Sequence, residues 1–265
     1  MNMILISIMT LGGLGLLFGL MLSYFSIIMK VEEPLKLTAV KSLLPWANCG
    51  GCGCAGCADF AEKLYTGRAD CGGCPVGGVE LARNLADAMG VAATEMTPVT
   101  AFVKCFGTDK LLYKYSGVAD CRASVRLTGR GPRACASGCL GGGDCISACM
   151  FGAIQIINGI AVVDSKKCVS CNLCVAACPK DLIVMVPQDK AICVGCNAQS
   201  GGKAVRANCS VGCIGCKLCV KNCEYGAIQM EGNLSLAVID YEKCTGCGVC
   251  VQVCPRKCIQ DNNSN

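Results

Sequence analysis

Cys168, Cys171, Cys174 and Cys178 stand at the spacing C-x2-C-x2-C-x3-C with Pro179 next, and Cys244, Cys247, Cys250 and Cys254 repeat the run with Pro255 next. Thiolates at this spacing hold [4Fe–4S] clusters: three wrap one cube, and the fourth, before a proline that redirects the chain, reaches the neighbouring cube. The chain has 28 cysteines and no histidine in 265 residues. A disulfide framework suits short secreted domains and does not crowd three or four thiols into about ten residues. Structural zinc uses two C-x2-C pairs with a long spacer, and a third cysteine three residues on serves one tetrahedral ion poorly. The lack of histidine excludes a Rieske centre, a histidine-ligated haem and histidine acid–base catalysis.

The elements that position these thiols come as two copies of one unit. Cys145-x3-Cys149 followed by Phe151-Gly152-Ala153-Ile154 matches Cys219-x3-Cys223 followed by Tyr225-Gly226-Ala227-Ile228 at an offset of 74. Cys168 to Cys178 matches Cys244 to Cys254 at an offset of 76. In the first copy Ile154 to Ile157 and Ile160 to Val163 flank Asn158-Gly159, a strong signal for a two-residue hairpin turn, and in the second Gly232-Asn233 takes that place. Each copy therefore predicts a two-cluster ferredoxin module, pseudo-symmetric within itself, with crossed ligands. In the second module these are Cys213, Cys216, Cys219 and Cys254 for one cube, and Cys244, Cys247, Cys250 and Cys223 for the other. In the first, Cys168, Cys171 and Cys174 join Cys149. The remaining site is irregular, because aligning Cys139 with Cys213 sets Gly142 where Cys216 stands. Cys139, Cys145 and Cys178 are regular there; either Cys135 supplies the fourth thiolate or the site holds a three-iron [3Fe–4S] cluster.

A further cysteine-rich stretch lies upstream, at Leu44-Pro45-Trp46-Ala47-Asn48-Cys49-Gly50-Gly51-Cys52 and on to Cys57, then Cys74-Pro75-Val76-Gly77-Gly78. Asp59 to Tyr65, closed by Gly67, reads as a short helix, and Val79 to Met89, closed by Gly90, as a second. The loop–helix–loop returns Cys74 to Cys49, Cys52 and Cys57, giving one more cube and leaving Cys54 and Cys71 over. Cys105, Cys121, Cys193, Cys196, Cys209 and Cys258 also remain. Cys135 and Cys209 occupy equivalent places, four residues before each module's first regular ligand. That equivalence points to an additional metal site, with Cys193, Cys196 and Cys209 as its candidates and Cys105 and Cys121 as further ones; the alternative is a set of ordinary buried thiols.

Thiolate clusters need a reducing compartment. With 5% aromatic residues and 33 glycines, the domains cannot rest on large apolar cores, so each cluster must serve as the core of its module. The formal charge of +5 counts every cysteine as neutral. A cube with four thiolates carries about −2, so roughly five cubes leave the loaded protein mildly acidic, and nucleic-acid binding is not expected. Ile4 to Met29 carries no charged residue over 26 positions, more than the roughly 20 that a membrane-crossing helix needs. A cleaved signal peptide would show a basic n-region and an apolar stretch of about 7–15 residues. The segment therefore reads as a retained single-pass anchor in the bacterial inner membrane. Lys30, Lys36 and Lys41 follow it, which sets the cysteine-rich part on the cytoplasmic side. No ionisable residue lies within it, so it offers no ion relay.

The reading is a small α+β protein: a transmembrane helix at 1–30, a [4Fe–4S] loop–helix domain at 31–100, and two tandem bacterial-type 2[4Fe–4S] ferredoxin modules with Cys-rich lead-ins at 101–190 and 191–265. It implies at least five clusters, with six or seven open.

The order anchor, L-P-x-A-N-C-G-x-C-x4-C, C-P-x-G-G and then ferredoxin modules resembles the RnfB component of the membrane-bound Rnf complex, in its longer form with a doubled ferredoxin module. The resemblance implies a complex that oxidises reduced ferredoxin, reduces NAD and exports sodium ions or protons, with this chain as the ferredoxin-facing point of electron entry. The chain has no nucleotide-binding glycine fingerprint and no Walker loop, so NAD chemistry belongs to partner subunits, membrane-bound and flavin-bearing. Arg122, Arg126, Arg130 and Arg133 fall between Cys121 and Cys135 with no acidic residue among them, a candidate docking patch for an acidic ferredoxin. Two other readings stay open: a polyferredoxin of another membrane redox complex such as a hydrogenase, and a non-catalytic store or sensor of clusters.

Overall fold

The computed structural model describes residues 2–29, 33–93, 97–107, 110–118, 120–128, 130–190, 192–231 and 236–262. Helix α1 (Asn2–Ile28) is apolar on every side and, among the described residues, packs against no other element. Its large side chains are bare, from Phe25 at 46% to Met3 at 81% exposed. Leu5–Ile28, with mean hydropathy 2.2 over 24 residues, is long enough to cross a bilayer. Ser7 and Thr10 turn their hydroxyls back onto the Met3 and Ile6 carbonyls, each at 2.9 Å, as polar groups in hydrocarbon must.

Three helices build the next layer: α2 (Leu35–Leu43), α3 (Cys57–Tyr65) and α4 (Gly78–Met89). The latter two occur where the sequence predicts them, and Gly90 ends α4 in the left-handed conformation at φ 72°. Helix α2 falls in a stretch for which the sequence names no helix. Its Leu37 and Val40, with Leu44 just beyond, close over Phe60, Leu64, Leu81 and Leu85 at helical spacing. Cys54, Cys71 and Cys74 belong to the same core.

The first module contains β1 (Val99–Val103), α5 (Cys121–Thr128), α6 (Asp144–Ser147), β2 (Ile154–Ile157), β3 (Ile160–Val163), α7 (Leu173–Ala177) and β4 (Ile183–Pro187). The expected hairpin is β2–β3, with Ile157 opposite Ile160. Asn158 and Gly159 take φ 50° and 77°, the pair of positive values that a primed two-residue turn needs. Strand β1 pairs antiparallel with β4, from Val99 opposite Pro187 to Val103 opposite Ile183.

The second module repeats the plan with β5 (Ile192–Val194), α8 (Gly202–Asn208), α9 (Leu218–Lys221), β6 (Ile228–Glu231), β7 (Leu236–Ile239), α10 (Val249–Val253) and β8 (Ile259–Asp261). Strands β6 and β7 form the hairpin, and β5 pairs with β8. The Gly232-Asn233 turn lies outside the described residues. The two closing pairs, β1–β4 and β5–β8, join strands from opposite ends of each module and are invisible to local pattern. Between the modules, Phe102, Val186 and the fully buried Cys193 pack with Phe106, Val184 and Tyr241.

Candidate metal centres

The cysteine loops share one backbone shape. Positive φ recurs at two alternate positions in each: Gly141 and Gly143, Ser170 and Asn172, Gly215 and Lys217, Gly246 and Gly248. Alternation of right- and left-handed residues turns successive N–H groups into one concavity, a cradle for an anion such as a thiolate-bound cluster. Ser170, Asn172 and Lys217 take this conformation without being glycine, at a cost of about 1–3 kcal/mol each.

The return turns are alike too. The third residue after each last cysteine, Gly152, Asp181, Gly226 or Lys257, has positive φ and donates its N–H to the carbonyl of Cys149, Cys178, Cys223 or Cys254. Pro179 and Pro255 sit in two of these turns, while Met150 and Glu224 serve in the others, so the turn itself does not need proline.

In the N-terminal cluster domain, Cys74 faces Cys52 and Cys57, and burial pushes its thiol up. Asn48 Oδ1 accepts from the N–H of Cys57 (2.8 Å) and pins the start of α3. Asp59 Oδ2 accepts from Ala55 N–H (2.9 Å) and from Lys63 Nζ (2.8 Å), which holds its carboxyl below the usual range. Cys49 lies at the edge of this domain, toward Cys171. Gly51 packs its backbone there: a Cβ on it would lie 2.9 Å from the Cys171 carbonyl oxygen. The first domain thus docks on the first module at a cysteine loop of each.

Cys149, Cys168, Cys171 and Cys174 line one cavity, and Cys223, Cys244, Cys247 and Cys250 line its counterpart in the second module. Cys219 gathers with Cys213, Cys216 and Cys254, and burial pushes its thiol up to about 11. Cys258 stands beside this set, its sulfur 3.6 Å from that of Cys254.

At the irregular site the structure brings in a cysteine from outside the run. Cys145, pushed up to about 12 by burial, faces Cys139, Cys121 and Cys178. Cys121 begins α5, its N–H held at 2.6 Å by Asp144 Oδ1. Its sulfur fills the space in front of Gly142, the position that lacks a cysteine. Cys135 is turned elsewhere, into a cavity shared with Cys105, Cys196 and Cys209. Nor does Cys193 join Cys196 and Cys209: it points into the intermodule core, where the Tyr241 hydroxyl lies 3.6 Å from its sulfur. Cys121, more than ten residues from any run, carries no spacing signal that would tie it to this loop, although the gap at Gly142 is visible in the sequence.

Among the described residues, no group of three or more Cys, Asp or Glu side chains stands close enough for a single metal ion. A cube spreads its four thiolates wider than one ion does, and anion-cradling loops with enclosed, thiol-lined spaces fit that larger group.

The arginine patch needs a correction. Arg122, Arg126 and Arg130 are exposed, but Arg133 is 6% exposed and donates to the carbonyl oxygens of Gly107 (3.2 Å) and Gly159 (2.5 Å). It ties loops together inside the module and is closed to a docking partner.

An apolar N-terminal helix, a cysteine loop–helix domain and paired hairpin modules define a membrane-associated iron–sulfur protein of ferredoxin type. Residues 44–76 match an Fe-S cluster family, residues 161–184 the 4Fe-4S binding domain and residues 212–258 the 4Fe-4S dicluster domain. The chain is 43% identical to the B component of the ion-translocating oxidoreductase complex of Methanosarcina acetivorans, over 96% of this chain and 97% of that one. It is 40% identical to the B component of the Na(+)-translocating ferredoxin:NAD(+) oxidoreductase complex of Acetobacterium woodii, over 98% and 78% of the two chains. Against the proton-translocating counterpart of Clostridium ljungdahlii the identity is 38%, over 92% and 87%. The chain belongs to the RnfB family, the B components of these ion-translocating oxidoreductase complexes.

Proposed function

We propose that this chain takes electrons one at a time from reduced ferredoxin and passes them along its clusters toward partner subunits that reduce NAD, with Na+ or H+ export as the coupled work. The observation that carries the reading is continuity. Cysteine loops follow one another from Cys49, beside Cys171, through the first module and into the second. A store or sensor has no need of such a series, and the relatives are named as components of ferredoxin:NAD(+) oxidoreductases.

In this reading the ligand sets are Cys49, Cys52, Cys57 and Cys74; Cys149, Cys168, Cys171 and Cys174; Cys121, Cys139, Cys145 and Cys178; Cys213, Cys216, Cys219 and Cys254; and Cys223, Cys244, Cys247 and Cys250. The sulfurs bind as thiolates, and cluster binding supplies folding energy to modules whose apolar cores are small. When bound, the clusters supply one-electron redox chemistry. The chain's own part is to hold them in sequence, surround them with backbone N–H groups and keep neighbouring loops in contact. The division at 1–30, 31–100, 101–190 and 191–265, with the boundary at 100 moved ahead of β1 so that the strand stays whole in the first module, and with the cysteine-rich part on the cytoplasmic side, belongs to the same proposal.

The test is anaerobic purification with iron and sulfide analysis, followed by mixing with ferredoxin reduced in advance. These five sets call for about 20 irons per chain and spectral reduction by ferredoxin. A loaded protein that ferredoxin cannot reduce would refute the electron-entry role; a content near four irons would refute the conductor.

A further inference from the structure

Four cysteines outside these five sets meet at the junction of the modules. Cys105, Cys135, Cys196 and Cys209 line one partly open cavity. Two come from the first module and two from the second, and they correspond in pairs. Cys105 lies two residues past the end of β1, and Cys196 two residues past the end of β5. Lys104 N–H bonds the Leu182 carbonyl, and Gly195 N–H bonds the equivalent Cys258 carbonyl, both at 2.7 Å. Cys105 Sγ accepts from the N–H of Cys139 (3.3 Å), and Cys196 Sγ from the N–H of Cys213, its equivalent. Cys135 and Cys209 each stand four residues before those donors. The site therefore takes equivalent residues from each of the two modules. Phe106 N–H donates across the junction to the Gly195 carbonyl (3.1 Å).

The surroundings suit an anion. Lys180 and Arg256, the equivalent residues after Pro179 and Pro255, reach back to the segments that carry Cys135 and Cys209. Lys180 Nζ bonds the Arg130 carbonyl (2.6 Å) and that of Ala136, and the Arg256 guanidinium bonds the Cys209 and Gly212 carbonyls. Lys104, Lys110 and Arg133 also line the space.

We infer that Cys105, Cys135, Cys196 and Cys209 bind a sixth iron–sulfur cube, bridging the two ferredoxin modules. The inference rests on the electron-conducting reading and deepens it by naming the junction. The site lies between the Cys139 loop of one module and the Cys213 loop of the other. Held by these four thiolates, a cube would supply a one-electron relay between the clusters of the two modules, gaining and losing one electron with no proton or bond change. It would also staple the modules, since its ligands come equally from both.

Iron analysis of the anaerobic full-length protein should give about 24 irons per chain, and a Cys135→Ala/Cys209→Ala variant about four fewer. Cys193→Ala, which removes a buried thiol outside the four, should keep the full count. Alkylation of the loaded wild-type protein, read by mass spectrometry, should leave the half-exposed Cys135 unmodified, because a cluster ligand is not a free thiol. An unchanged iron count in the double variant, stoichiometric zinc in the wild type, or ready alkylation of Cys135 in a fully loaded chain would each overturn the site. Should the double variant fail to fold, the wild-type iron count and alkylation pattern decide alone. A chain holding six cubes that ferredoxin does not reduce would sink the electron-entry role and leave this site standing.

Discussion

The sulfur of Cys121 stands where a side chain at Gly142 would go: a Cβ built on Gly142 would lie 2.9 Å from Cys121 Sγ and 2.6 Å from the Cys121 backbone nitrogen. The loop around Gly142 keeps the φ pattern of the other three, with Gly141 at 72° and Gly143 at 89°, yet has no thiol of its own at its centre. A helix from a distant part of the chain delivers one instead.

Cys121→Ala should therefore lower iron by about one to four per chain, as the site either becomes a three-iron cluster or empties. Metal analysis with electron paramagnetic resonance of the oxidised protein separates these two results. Full iron content and an unchanged spectrum would mean that Cys121 is not a ligand.

Gly51 sits against Cys171 with no room for a side chain, so Gly51→Val should push the first cluster domain off the first module. The strain at that contact, shared with the Pro75 ring that the new side chain also meets, should cost about 1–3 kcal/mol. Iron content should stay at the wild-type level, and electron transfer between the first domain and the modules should slow in rapid-mixing experiments. A rate equal to wild type would show that electrons do not cross at this contact.

Arg126 and Arg130 are exposed, free of the ion pair that Arg122 makes with Asp144 at 3.8 Å. Reversing both to Glu should slow ferredoxin oxidation at low salt and flatten its salt dependence, because exposed charges act over about a Debye length, roughly 10 Å at 0.1 M. Identical rates across a salt series would exclude the patch as a docking surface.

Among the described residues helix α1 packs against no other element, and no charged side chain lies within it. Removal of residues 1–30 should yield a protein that loads its clusters and is reduced by ferredoxin but couples poorly to NAD reduction in reconstituted membranes, since the anchor raises the effective concentration near its partners. Loss of clusters on truncation would reveal a folding role for the helix. Ion movement by the full-length chain alone in vesicles would contradict the expectation that it carries electrons and not ions, for a lone apolar helix lines no hydrated path.

Much of this was legible in the sequence because the signals are local. Thiols at C-x2-C-x2-C-x3-C are covalently constrained to one loop, so their common target can be read from spacing alone, as can the Asn158-Gly159 turn and the uncharged stretch of α1. Cys121, Cys135 and Cys105 carry no such signal, and the C-x2-C spacing of Cys193 and Cys196 misleads, since each of these cysteines meets its partners across tens of residues or, for Cys193, packs in the intermodule core. Where they go depends on the closing strand pairs β1–β4 and β5–β8, which bring Cys105 and Cys196 to the junction, and on the Asp144 carboxylate that turns α5 toward Gly142. The missing thiol at Gly142 was visible, but its replacement was not. Arg133 shows the same limit: it reads as one more surface cation, and only the packed loop carbonyls of Gly107 and Gly159 make it an internal tie. Spacing determines which residues can share a cluster within a loop; chain topology decides which distant residues join them, because that choice is made by long-range packing.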